Sequence, residues 1–173
     1  MLLPLPAQQP NPRLAYNSAW TPGRVCSRRS ARGRPDLEIE IRDAVPADGA
    51  TIANYNARMA EETEDKRLDP QVIGPGVAAV LGDATKGRYW VAIIDGEIAG
   101  QLMVSYEWSD WRNGTIWWIQ SVYVAAPFRR RGVFSALYKH VESLAKQDGS
   151  TRGIRLYVEK GNMRAKDTYL SLG

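Results

Sequence analysis

VAAPFRRRGVF, at residues 124–134, reads as the end of a buried strand, a basic turn and the start of a helix. The N–H groups in the first turn of a helix have no intrahelical acceptors, and the helix dipole favours negative charge there. Three arginines at residues 129–131 add positive charge just before Gly132. The segment therefore predicts a binding site for a diphosphate or a similar anion.

A second motif ends the chain, where residues 156–173 read LYVEKGNMRAKDTYLSLG. Its spacing is Asn-x-x-Ala-x-x-x-Tyr-x-x-x-Gly after a predicted strand, with Asn162, Tyr169 and Gly173 at the marked positions. Together with Arg-x-x-Gly at residues 129–132, it resembles the two signatures of the GNAT superfamily of acyltransferases in their usual order. The resemblance covers roughly residues 37–173, although Phe134 stands where the family usually has a small residue.

Hydrophobic periodicity predicts the elements between these motifs. Strands are predicted at 37–42, 89–94, 98–106, 115–124 and 152–158, with Asp95-Gly96 and Asn113-Gly114 as hairpin turns. Helices are predicted from Pro46, over 70–81, from Phe134 and over 162–172. In the first of these helices Ile52, Tyr55 and Met59 share a face. In the second, Gly74-Pro75-Gly76 indicates a break.

This order predicts an α+β fold with a mixed, mostly antiparallel central sheet flanked by helices on both faces. The family resemblance implies the same fold. In that family two further strands follow the final helix, so the resemblance implies a domain, residues 36–173, that lacks its last C-terminal strands. A sheet edge would then be unpaired.

Composition separates a tail from this domain. Residues 1–35 contain six arginines, six prolines and no acidic residue, which leaves 17 basic residues against 19 acidic ones in the remainder. We therefore predict a disordered, Arg/Pro-rich tail and a nearly neutral domain. A single cysteine, Cys26, suits a reducing compartment, and no apolar run approaches the ~20 residues that span a bilayer. The sequence predicts a soluble, cytoplasmic protein without a membrane contact.

The resemblance implies the site residues as well. The backbone of the strand at residues 120–124 would be splayed from the next parallel strand and would pair with the pantetheine arm of coenzyme A, with the Val122 N–H aimed at the thioester oxygen. The diphosphate would lie on the N–H groups of residues 130–135. The implied cofactor-binding residues are Val122, Tyr123, Val124, Arg129, Arg130, Arg131, Gly132, Val133, Phe134, Ser135 and Asn162.

Tyr169 matches the tyrosine that protonates the departing thiolate in many relatives, although it could instead be a packed aromatic residue. Asn162 could equally be the N-cap of the last helix. The general base stays open, because Gln120 and Ser121 occupy the strand position where many relatives have a glutamate. Glu107, Asp110 or Glu159 could act through water, or the amine could arrive neutral. No metal is expected, since the chain has one histidine, His140, and one cysteine.

The acceptor site is expected between the first helical region and the second hairpin. That hairpin contains four tryptophans: Trp108, Trp111, Trp117 and Trp118. They could form an aromatic wall for the substrate, or they could pack against one another across the strands. We expect one of Trp117 and Trp118 to pack inward and His140 to lie at the surface. An acidic cluster at a helix end either attracts a cationic amine or is a solvated face: Glu61, Glu62, Glu64 and Asp65.

The leading interpretation is an N-acetyltransferase that moves an acetyl group from acetyl-CoA to a primary amine by direct attack in a ternary complex. The acceptor would be a small molecule or a peptide. The sequence leaves the oligomeric state open, and a homodimer is possible. Two alternatives remain. One is a non-catalytic CoA-binding module of the same fold, and the other is a nucleic-acid binder that uses the basic turn and tail. The near-neutral domain disfavours nucleic acid as a partner.

Overall fold

The computed structural model describes residues 14–18 and 38–158, with side chains for residues 38–156. In these ranges the strands are β1 (Leu14–Ser18), β2 (Glu40–Asp43), β3 (Arg88–Ile94), β4 (Glu97–Ser109), β5 (Gly114–Val124) and β6 (Thr151–Val158). The helices are α1 (Gly49–Glu64), α2 (Pro70–Gly82) and α3 (Val133–Gln147). The predicted helix at 162–172, with Asn162 and Tyr169, lies outside the described residues.

The described strands form one sheet in the order β1-β6-β5-β4-β3-β2. Neighbouring strands are antiparallel except β5 and β6, which are parallel. Helix α3 covers one face through Val133, Leu137 and Val141, which are buried with Trp90 in the larger core. Helices α1 and α2 cover the other face. This arrangement confirms the predicted α+β fold.

Turn chemistry sets the hairpins as the sequence predicts. Asp95 and Gly96 both have positive φ angles, 52° and 81°, which is the geometry of a type I′ turn between β3 and β4. Asn113, with φ of 46°, ends the second hairpin turn just before β5. The two turns join β3, β4 and β5 into an antiparallel meander. From the end of β5 the chain then passes through a short turn into α3.

Helix α2 is continuous from Pro70 to Gly82, so the predicted break at Gly74-Pro75-Gly76 is wrong. Pro75 lies inside the helix and is exposed. Val77 is buried on the other side, and Ile73 packs against the same cluster. Packing of this apolar face against α1 and the sheet outweighs the hydrogen bond that the proline removes.

Residues Leu14–Ser18 form β1, antiparallel to β6 with Leu14 opposite Val158 and Ser18 opposite Ile154. The prediction of disorder for residues 1–35 is wrong for these five residues. An open strand edge offers a row of backbone hydrogen bonds that composition does not reveal. Strand β1 thereby pairs with the edge of β6.

Gly87 provides a stability prediction. It is buried with φ of 148°, and a Cβ there would lie 2.5 Å from both Met103 Cε and the Val104 carbonyl oxygen. Gly87→Ala is expected to lower the free energy of unfolding by about 2–3 kcal/mol, because the backbone oxygen cannot move away cheaply. Urea denaturation measures the change. Gly74→Ala is the control, since its Cβ would have no neighbour within 4 Å; equal stability of the two variants would contradict the prediction.

Candidate active site

The parallel strands β5 and β6 separate halfway along β5. Their pairing runs from Thr115 opposite Thr151 to Ile119 opposite Leu156, whereas β5 continues to Val124. Over residues 120–124 the β6-facing edge of β5 has no strand partner within the described part of the chain. The Val124 carbonyl on that edge accepts a hydrogen bond from Arg129 Nε. The other backbone donors and acceptors there are open to an extended ligand, which could add to the sheet as a strand does.

A β-bulge lies at the point of separation. Met103 of β4 pairs with Ser121 and Val104 pairs with Ile119, so Gln120 is the extra residue. A bulge turns two successive side chains toward the same side. Gln120 and Ser121 both line a cavity on the α1 face, whereas Ile119 packs in the core beneath α3. The sequence alone did not indicate this bulge.

The turn after β5 ends in a helix N-terminus with open N–H groups. A 3-10 turn at Ala126–Phe128 leads to Arg130 and Gly132, whose φ angles are 67° and 85°. The Ala136 N–H donates to the Gly132 carbonyl at 3.0 Å, so the N–H groups of residues 133–135 precede the first backbone bond of α3. Successive N–H groups in such a turn form an anion-binding concavity.

Space in front of this turn is open. A Cβ added to Gly132 would have no neighbour within 4 Å, and residues 130–132 are exposed. Phe134 is partly buried and packs against the core, with its ring 6.1 Å from the Tyr138 ring. The large residue at this position is therefore compatible with an anion on the turn.

Arg129 and Arg131 have different surroundings. Arg131 lies over the Phe128 ring at 5.8 Å. The Arg129 side chain is instead committed to protein groups, with Nε 2.8 Å from the Val124 carbonyl and NH2 2.6 Å from the Glu62 carboxylate. Tyr123 is buried, and its hydroxyl donates to the same carboxylate at 2.7 Å. These contacts lower the pKa of Glu62, the Tyr123 hydrogen bond foremost.

A cavity of about 510 Å³ lies between α1, the α1–α2 connection and the central strands. Its walls combine aliphatic and thioether side chains with neutral polar groups and one carboxylate beside one lysine: Asn56, Met59, Ala60, Glu64, Lys66, Leu68, Ile73, Tyr89, Met103, Ser105, Gln120 and Ser121. Glu64 and Lys66 are paired at 2.7 Å. The described lining therefore has no net charge.

The buried side of the cavity contains a polar network. Gln101 Nε2 donates to Asn56 Oδ1 at 2.7 Å, and Asn56 Nδ2 donates to the Tyr89 hydroxyl at 3.0 Å. Burial raises the pKa of Tyr89, so the hydroxyl stays neutral at physiological pH. None of these three residues was predicted from the sequence to belong to the site. Asn56 could have been predicted to be a buried polar residue, since it lies on the same inward face of α1 as Ile52 and Met59.

Two of the three predicted base candidates, Glu107 and Asp110, lie away from this cavity. Glu107 accepts hydrogen bonds from Trp118 Nε1 at 2.6 Å and from Arg155 at 3.1 Å, and it does not line the cavity. Asp110 accepts the Trp111 N–H in the hairpin turn. Glu159, Asn162 and Tyr169 lie outside the described residues. The described cavity wall does contain one carboxylate, that of Glu64 from the acidic cluster at the end of α1.

The tryptophans do not wall this cavity. Trp117 is buried and stacked on Trp90 with ring centroids 6.1 Å apart, as the packing interpretation predicts for one of the pair. Trp108 and Trp111 are 63% and 91% exposed. His140 is half-buried on α3, and its ring lies 6.3 Å from the Trp90 ring in a T-shaped arrangement, so it lies between the surface and the core.

A parallel pair of strands that separates beside a helix N-terminus with open N–H groups suits an extended ligand that carries an anionic group. The chain belongs to the acetyltransferase (GNAT) family, whose model matches residues 53–173. No helix in the described ranges has both the length and the apolar character that a membrane span needs.

Solved structures agree with this assignment. A possible acetyltransferase from Clostridium difficile 630 is 48% identical, with 78% of this chain and 88% of that chain covered and a TM-score of 0.73. AAC(6')-Iy, solved with a CoA-S-monomethyl-acetylneamine bisubstrate analogue, is 15% identical over 79% of this chain and 90% of that one, with a TM-score of 0.65. A ribosomal-protein-alanine N-acetyltransferase from Brucella melitensis biovar Abortus 2308 is 15% identical over 79% and 91%, with a TM-score of 0.64. The last two are similar in fold alone.

Proposed function

We propose that this acetyltransferase moves the acetyl group of acetyl-CoA onto a primary amine by direct attack in a ternary complex. One observation carries the proposal: the edge of β5 over residues 120–124, which has no strand partner among the described residues, leads directly to the open N–H groups at the start of α3. An extended chain with an amide-containing arm and a diphosphate would match both features at once. Coenzyme A has that chemistry.

In this proposal the diphosphate lies on the N–H groups of residues 130–135, and Arg130 and Arg131 add charge-assisted hydrogen bonds. The pantetheine arm pairs with the backbone of residues 122–124. The Val122 N–H then donates to the thioester oxygen, where negative charge develops during attack. Val122 and Val124 have half-buried side chains that pack against the α3 core, so the strand edge is held in place.

The acceptor occupies the cavity on the α1 face, where Gln120 and Ser121 mark its boundary with the strand edge. The amine nitrogen attacks the thioester carbonyl carbon, and the carbon–sulfur bond then breaks. Tyr169 gives its proton to the leaving thiolate. Glu64 is our candidate for receiving the proton that the amine loses, through a water molecule, because it is the carboxylate on the described wall.

Two fold neighbours indicate acceptor classes that deserve testing. AAC(6')-Iy was solved with an acetylneamine analogue, and the Brucella protein is described as acting on ribosomal protein alanine. The paired Glu64 and Lys66 leave the described cavity lining without net charge, which favours a monoamine over a polycation. We propose a small-molecule or peptide monoamine as the acceptor and the cytoplasm as the location.

An acceptor panel tests this function. The full chain is incubated with acetyl-CoA and, in separate reactions, with free amino acids, short peptides, simple alkylamines and aminoglycosides. Free thiol release is followed colorimetrically, and acetylated product is identified by mass spectrometry. Thiol release with matching product from a monoamine supports the proposal. Binding of acetyl-CoA with no product from any class would favour the non-catalytic CoA-binding module.

A further inference from the structure

Arg129 belongs to the basic turn in sequence, yet its guanidinium group contacts α1. The NH2 nitrogen lies 2.6 Å from Glu62 Oε2, and Nε lies 2.8 Å from the Val124 carbonyl oxygen. Two donors of one planar group are thus used by two different elements, α1 and the end of β5. Arginine suits such forked binding, whereas lysine, with its single nitrogen, cannot reproduce the fork.

Glu62 is held from a second side. The Tyr123 hydroxyl donates to Glu62 Oε1 at 2.7 Å, and the Arg129 guanidinium also lies 5.3 Å from the centre of the Tyr123 ring. Tyr123 is 4% exposed, and its ring lies 5.0 Å from that of Tyr55 on α1. Both carboxylate oxygens of Glu62 therefore have partners on β5 or the turn, which makes this contact more constrained than an isolated surface ion pair.

These contacts link two parts of the proposed site. Ala60 and Glu64, on either side of Glu62 in α1, line the acceptor cavity, while Val124 is the last residue of the open strand edge. Because Arg129 Nε occupies the Val124 carbonyl, that oxygen already has a hydrogen-bond partner. The pair of contacts fixes the distance between the end of α1 and the strand that would hold pantetheine.

We infer that Arg129, Glu62 and Tyr123 form a latch between the cofactor turn and α1, and that Arg129 is a positioning residue rather than a ligand of the diphosphate. The inference rests on the proposed function and revises the role of Arg129 within it. Arg130 and Arg131, together with the backbone N–H groups, carry the diphosphate. Arg129 instead holds the strand end and the α1 end in place for pantetheine and for the acceptor.

Two ligands separate these roles, because pantetheine lacks the diphosphate of coenzyme A. Arg131→Ala should weaken CoA binding about 10-fold and leave pantetheine binding within about twofold, as expected for loss of one charge-assisted contact. Arg129→Ala should weaken both ligands by a similar factor, about 3- to 10-fold. Arg129→Lys should resemble Arg129→Ala, since charge alone does not restore the fork. Dissociation constants come from calorimetry for CoA and from chemical-shift titration for pantetheine.

Glu62→Gln supplies the matched test, because Glu62 has no place in a diphosphate site. It should weaken both ligands as Arg129→Ala does, and the double variant should be no weaker than the poorer single variant. The latch is overturned if Arg129→Ala lowers CoA affinity alone, as Arg131→Ala does, or if Glu62→Gln changes neither ligand. Melting temperatures of all variants show that they are folded.

Failure of the function can be distinguished from failure of the latch. If the folded wild-type chain binds neither CoA nor pantetheine, the proposed cofactor site is wrong. The latch is then measured by a double-mutant cycle on urea unfolding with Arg129→Ala and Glu62→Gln. Non-additive effects support the contact, and additive effects contradict it.

Discussion

Gly132→Asp is expected to weaken the binding of CoA by roughly 100-fold or more, because it replaces favourable electrostatics with repulsion. The new carboxylate would stand at the mouth of the turn, where a Cβ has open space and where the diphosphate is proposed to lie. It could also accept hydrogen bonds from the first-turn N–H groups and so occupy the anion site itself. Calorimetric titration with CoA measures the loss.

Gly96→Asp is the matched control for this change. Gly96 also has a positive φ, 81° against 85° for Gly132, and its Cβ would likewise meet no atom within 4 Å. The control therefore introduces the same charge and similar backbone strain in the β3–β4 turn. Equal losses of CoA affinity in the two variants would show that strain or net charge, rather than the anion site, is responsible.

Tyr169→Phe is expected to lower kcat about 100-fold with little change in the KM for acetyl-CoA, since general acid catalysis contributes roughly 10²–10⁴-fold. The phenol would protonate the thiolate only as the carbon–sulfur bond breaks, so its loss affects the transition state rather than binding. Steady-state kinetics with an amine identified in the acceptor panel measure both constants.

A fall in melting temperature with an unchanged kcat would instead assign Tyr169 to packing. Tyr138→Phe serves as the comparison, because Tyr138 is a buried tyrosine of the α3 core beside Phe134. That variant should change stability more than kcat. Both substitutions remove one tyrosine hydroxyl group, so a difference in kcat between the two variants reflects the position of that hydroxyl in the chain.

The sequence predicts the sheet and its connections well because turns and periodicity are local properties. Asp95-Gly96 requires two positive φ angles, and the strands on either side follow from that turn. The helix after the basic turn follows from apolar residues at helical spacing, of which Leu137 and Val141 are fully buried. The turn between β5 and α3 is predictable for the same reason, since its features lie within a dozen residues, and its role as an anion site stays a prediction.

Features that depend on distant residues were not predictable. Glu62 and Arg129 are 67 positions apart, and no local pattern indicates that they meet. The bulge at Gln120 depends on how β4 and β5 pair, and the continuity of α2 through Pro75 depends on packing against α1 and the sheet. In each case tertiary contacts, rather than a local sequence pattern, determine the structure.

The open edge of β5 and the start of α3 are proposed to hold acetyl-CoA together. Calorimetric titration of the wild-type full chain with acetyl-CoA, at low and high salt, tests this proposal most directly. We expect one saturable site whose affinity for acetyl-CoA falls as the salt concentration rises, because the diphosphate contacts are electrostatic. Binding should still be measurable at high salt, because the strand-edge contacts do not depend on charge. A folded chain that shows no binding at either salt concentration would contradict the claim.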